Sequence, residues 1–242
     1  MVFLRLAATT VLILTTVSVW PDSGSSTRAI NTLERSALSP SSDVLELGNS
    51  VASSTCASCH GTDGNSTGPG IPNLAGQRTV YLYRALQAYQ ARQRRDDAMN
   101  HSISFLHGEA LLAVSAYYAS LPPVRTADFK EGMTTESPAD GRDPFTAIRH
   151  EMKNCVKCHG DDGNAKASVM PNLTAQHPQY FVTSMKAYVD GSRDHKMMER
   201  LVSGLDDDTL EEMGVFYAVQ EPVRTKTTGD GNPVLGREQS EP

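Results

Sequence analysis

Along this chain of 242 residues, buried-type positions recur at helical spacing in four places. Leu82, Ala85, Leu86 and Tyr89 follow i, i+3, i+4, i+7, as do Leu111, Val114, Ser115 and Tyr118. Phe181, Ser184, Met185 and Tyr188 repeat the pattern, and Leu210, Met213, Gly214 and Tyr217 close it. Phe145, Ile148 and Met152 mark a further helical face, with Asp143 as its cap and Pro144 in its first turn. No stretch alternates at period two for long enough to predict a sheet. The expectation is an all-α chain with about three helices in each of two compact segments, joined by Gly/Pro/Asn loops.

The polar stretches divide the chain. Residues 1–20 place Arg5 before the apolar run Leu6 to Trp20, which reads as a signal peptide or N-terminal anchor. Residues 21–42 are Ser-rich and read as a polar linker. Residues 122–143 are rich in Pro, Gly, Thr and charge and read as a connector, and residues 221–242 as a disordered tail. The two remaining segments, 43–121 and 144–220, are copies. Shifting by 99 places Cys56 on Cys155, Cys59 on Cys158, His60 on His159, Pro72-Asn73-Leu74 on Pro171-Asn172-Leu173 and Gln77 on Gln176. Between 56–77 and 155–176, 11 of 22 positions are identical, so the chain is a tandem duplication.

Composition changes this picture only a little. The net charge of −6 excludes a general phosphate-binding surface, and nucleic acid is not an expected partner. The cysteines matter more. All four lie in two Cys-x-x-Cys-His phrases, and an exported chain could close them as two disulfides. A disulfide does not explain the histidine after each pair. One shared zinc ion does not explain why the whole surrounding segment is duplicated, and a thioredoxin-type pair lacks its preceding strand. Covalent haem c explains the phrase. Cys56 and Cys59, and again Cys155 and Cys158, would add across the porphyrin vinyl groups, leaving His60 and His159 as proximal iron ligands. Such a group would also staple a domain too small to bury much apolar surface. For the second axial position, Met99 is the first copy's one methionine between motif and connector, and the offset of 99 selects Met198. Met197 aligns with Ala98 and is the weaker candidate. His101, His107, His150, His177 and His195 have no histidine at the matching position and read as surface residues. The carbonyls of Pro72 and Pro171 are candidate acceptors for the ligand histidines' other ring N–H.

CASCHGTDGN, IPNLAGQ, Met99 and AYYAS, repeated as CVKCHGDDGN, MPNLTAQ, Met198 and FYAVQ, resemble the two-haem cytochrome c4 family over residues 43–220. The resemblance implies two tandem class I cytochrome c domains, each a small helical fold around one covalent haem with His/Met ligation. It implies electron carriage in the bacterial periplasm between a respiratory donor complex and a terminal oxidase, not catalysis. Membrane association would come through those partners or an uncleaved N-terminal segment. The alternative is the cytochrome subunit of a sulfur-compound-oxidising dehydrogenase, of the flavocytochrome sulfide or thiosulfate type. The family's last helix often opens on Leu-Ser-Asp. Here Leu205-Asp206-Asp207 supplies a good cap and Leu106-His107-Gly108 a poor one.

Overall fold

The computed structural model describes residues 30–124, 143–223, 225–227 and 233–235. The signal or anchor segment lies outside the described residues, as does most of the connector. The helices, in order, are α1 (Thr32–Ser36), α2 (Ser42–Val51), α3 (Ala57–His60), α4 (Thr79–Gln90), α5 (Asp97–Ser102) and α6 (Gly108–Ser120) in the first half. The second half has α7 (Thr146–Glu151), α8 (Val156–His159), α9 (Pro178–Val189), α10 (Lys196–Val202) and α11 (Asp207–Ala218). The four periodic faces are the inner faces of α4, α6, α9 and α11. Leu111, Val114, Tyr118, Phe181, Met185, Leu210, Met213 and Tyr217 are all buried. Two tandem helical domains result, with more short helices than the periodicity announced.

Three boundaries differ from the expectation. Within the stretch read as a linker, Asn31 caps α1 in a reciprocal box with Glu34, and Glu34 is fully buried against Arg84 of α4 at 2.7 Å. Asp143 does not cap α7 itself; it accepts from Phe145 N–H at 3.0 Å, and the helix opens at Thr146. The tail read as disordered carries a short antiparallel ribbon, β1 (Thr225–Thr227) paired with β2 (Pro233–Leu235). The expected cap contrast holds. Asp206 accepts from Thr209 N–H at 2.9 Å, whereas His107 makes no side-chain cap for α6.

In the first domain α2 crosses α6 at Gly48, where a Cβ would stand 2.2 Å from the Ala113 carbonyl oxygen. Only glycine permits that approach. In the second domain Phe145 stacks edge-on against Phe216 of α11, with the Arg149 guanidinium 4.6 Å from the Phe216 ring centroid.

The domains meet about a pseudo-two-fold axis that follows the repeat. Arg94 and Arg193 form an antiparallel bridge, flanked by Arg95 N–H to Ser192 C=O (2.7 Å) and Asp194 N–H to Gln93 C=O (2.6 Å). Arg94 Nη2 donates to the Tyr180 hydroxyl at 2.7 Å, and Arg193 Nη2 to the Tyr81 hydroxyl at 2.9 Å. Each of these contacts has its mate at the offset of 99, so duplication built a self-complementary interface inside one chain.

Candidate haem-binding site

Each Cys-x-x-Cys-His phrase occupies an irregular helical passage. A π-helical turn (Ala52–Cys56) leads into α3, and a 3-10 turn (Met152–Asn154) leads into α8. Both passages stop at a glycine with positive φ, Gly61 at 78° and Gly160 at 82°, immediately after the histidine. The chain then turns back so that Pro72 and Pro171 reach the imidazoles. The Nδ1–Pro O distances are 2.9 Å for His60 and 3.1 Å for His159, as the sequence suggested. With Nδ1 protonated and bonded, Nε2 keeps its lone pair, and no protein group engages it among the described residues. Burial holds both imidazoles below the ordinary histidine value, against the pull of the proline carbonyls. Both therefore stay neutral, the form that ligates iron.

The thiols fit the same reading. All four cysteines are free. Burial pushes Cys56 up to about 11, against the neighbouring Tyr118 hydroxyl, and raises Cys155 as well. Such protonated thiols are poor exchange nucleophiles. Among the described residues no three His, Cys, Asp or Glu side chains converge on a metal-sized site. Among the described residues the Tyr217 hydroxyl is buried without a hydrogen-bond partner, and the Tyr118 hydroxyl, at the equivalent place in the first domain, stands beside the Cys56 thiol. Buried hydroxyls at matched places fit a group with polar substituents bound in each domain.

Met99 lies on α5 and Met198 on α10, both partly buried against the cores, while Met197 is 42% exposed. Met198 and Cys155 border one apolar cluster. Met99 and Cys56 border two clusters that share Val51 and Leu86. The residue three before each methionine caps its helix: Asp96 accepts from Met99 N–H at 2.9 Å, and His195 Nδ1 accepts from Met198 N–H at 3.2 Å. Asp96 also favours the charged form of His60, and His195 opposes that of His159, so each methionine helix starts near its histidine.

His101, His107 and His150 are exposed as expected. His177 and His195 are only partly exposed. His195 is half-buried at its cap, and His177 donates to Ser66 C=O of the other domain at 2.9 Å. Sequence reasoning missed these roles and the interface residues Asn73, Asn172, Gln77 and Gln176. The one available signal was the repeated Pro-Asn-Leu-x-x-Gln phrase.

The cytochrome c family matches residues 45–110. Cytochrome c4 of Thiocapsa roseopersicina is 33% identical over 138 residues, which span 56% of this chain and 69% of that protein. The chain belongs to the cytochrome c4 family. The thiosulfate dehydrogenase electron acceptor of Stutzerimonas stutzeri is 27% identical over 179 residues, covering 71% of this chain and 81% of that one. The crystal structure of reduced recombinant cytochrome c4 from Pseudomonas stutzeri shares the fold, with a TM-score of 0.60 at 24% identity over 73% of this chain and 98% of that one. As a cytochrome c4 family member the protein carries two covalent haem c groups and is a dihaem electron carrier. Among the described residues no helix is long and apolar enough to cross a membrane.

Proposed function

We propose that Cys56 and Cys59 bind one haem and Cys155 and Cys158 the other, with His60 and Met99, and His159 and Met198, as the axial ligands. The observation that carries this reading is the buried, neutral histidine held through Nδ1 by a proline carbonyl at the same register in both domains. When bound, the haem iron supplies one-electron chemistry and the protein sets its potential. Pro72 and Pro171 orient the imidazoles, Asp96 and His195 start the methionine helices, and the packed cores exclude water. The buried hydroxyls of Tyr118, beside Cys56, and of Tyr217 are polar groups suited to the haem. Arg94 and Arg193, which pair with no carboxylate among the described residues, are cations suited to its acidic substituents.

With both axial positions filled by protein, only electrons pass, between a respiratory donor and a terminal oxidase in the periplasm. Cyanide or sulfide added to the oxidised protein at neutral pH should form no rapid complex. The reduced protein should be oxidised by isolated bacterial membranes. The second reading, service to a thiosulfate dehydrogenase, is favoured by the relative named as that enzyme's electron acceptor. Reduction by thiosulfate and its dehydrogenase, with no oxidation by membranes, would replace the first reading by the second.

A further inference from the structure

The repeated Pro-Asn-Leu-x-x-Gln phrase does more than shape a loop. In the first domain the Pro72–Asn73 peptide is bonded at both ends. Its carbonyl accepts from His60 Nδ1 at 2.9 Å, and its N–H, on Asn73, donates to Oε1 of Gln176 in the other domain at 2.9 Å. The second domain mirrors this. The Pro171 carbonyl accepts from His159 Nδ1 at 3.1 Å, and Asn172 N–H donates to Oε1 of Gln77 at 2.8 Å. Each glutamine closes a second bond back to the same residue: Gln176 Nε2 to Asn73 C=O at 3.1 Å, and Gln77 Nε2 to Asn172 C=O at 2.9 Å. One donor and one acceptor facing a backbone N–H and C=O leave a single sensible amide orientation. The asparagine side chains lock the arrangement. Asn73 Nδ2 donates to Ala175 C=O and Asn172 Nδ2 to Gly76 C=O, while their Oδ1 atoms accept from Ser66 and Ala165 N–H.

We infer that Gln77 and Gln176 are cross-domain positioning residues, each tuning the axial histidine of the opposite domain through one shared peptide group. The peptide is a resonance unit, so an acceptor on its N–H increases the negative charge on its carbonyl oxygen. A more negative Pro72 oxygen strengthens the His60 bond, makes the imidazole a stronger electron donor and favours the ferric state. Neutral glue between domains would not need to converge on the one peptide per domain that holds a ligand histidine. Here it does so in both directions, and the spacing from Pro to Gln is the same in both copies.

The inference rests on His60 and His159 being the iron ligands. The test uses the full chain with both haems attached, with the two haems assigned by the Met99→Ala and Met198→Ala variants. Two quantities are read: the reduction potential of each haem, and the Nδ1 proton resonance of each ligand histidine in the reduced, isotope-labelled protein. Gln176→Leu should raise the potential of the haem on Cys56 and Cys59 and move the His60 proton upfield, leaving the second domain's values in place. Gln77→Leu should do the reverse. Gln176→Glu is nearly isosteric; it gives up the Nε2 bond to Asn73 C=O but sets a charged acceptor on Asn73 N–H, so it should lower the first haem's potential more than the second's. It also serves if the leucine variant fails to fold. Shifts of equal size in both haems, or confined to the mutated residue's own domain, overturn the inference. Were the parent protein to show no haem-shifted Nδ1 proton from His60 or His159, the ligand assignment itself would fail, an outcome distinct from lost crossing.

Discussion

At the scale of single residues, two positions show how a motif constrains its backbone. Gly163 has φ at 85°, and an added Cβ would stand 2.7 Å from Cδ1 of Tyr217, the residue with the orphaned hydroxyl. Gly191 has φ at 75° but nothing within 4 Å of the same position. Gly191→Ala should therefore cost only the left-handed strain, about 1 kcal/mol. Gly163→Ala adds a clash with a packed ring and should cost roughly 2–3 kcal/mol more. Urea midpoints of the two variants check the difference. Cysteine spacing and the histidine after it were legible because the proposed attachment and ligation would dictate residue type. The caps at Asp96 and His195 were not, because an imidazole can replace a carboxylate once its lone pair faces an N–H. Identity at the two positions is lost while the role persists.

At the scale of elements, the amphipathic helices α4, α6, α9 and α11 were readable because each buries one face and the period survives in sequence. Helix α1 was not, since five residues give no period and its anchor is a charge. Glu34 accepts from Asn31 N–H at the helix start and from Arg84 on α4, with no exposure to solvent. Breaking a buried pair from one side is costly, whereas replacing both partners is cheap. Arg84→Leu should destabilise the protein by about 3–5 kcal/mol. Glu34→Leu combined with Arg84→Leu should recover much of that loss. A double-mutant cycle in urea measures the coupling, and simple additivity would remove the pair from the account.

At the scale of the whole molecule, the duplication was plain in the sequence, but how the copies face one another was not. An interface of backbone bridges and amide pairs leaves no hydrophobic signature. The interface departs from symmetry in its ionisable groups: Asp194 stands where the first copy has Arg95, and His177 where it has Arg78. Burial lowers His177 below its ordinary value, although its bond to Ser66 C=O favours the protonated ring. The docked state therefore binds fewer protons than the undocked one. Docking is at full strength above the ordinary histidine range, weakens as pH falls through that range, and levels off below the lowered value. Small-angle scattering across that interval should show the domains separating more readily in acid, and His177→Gln should abolish the trend. The central claim is that two equivalent His/Met haems make this chain an electron carrier. It is tested most directly by the weak far-red absorbance band of iron–methionine bonding in the oxidised protein. Met99→Ala and Met198→Ala should each remove about half of that band, as two like sites require, while Met197→Ala leaves it in place. A band untouched by either of the first two variants, or halved by Met197→Ala, would contradict it.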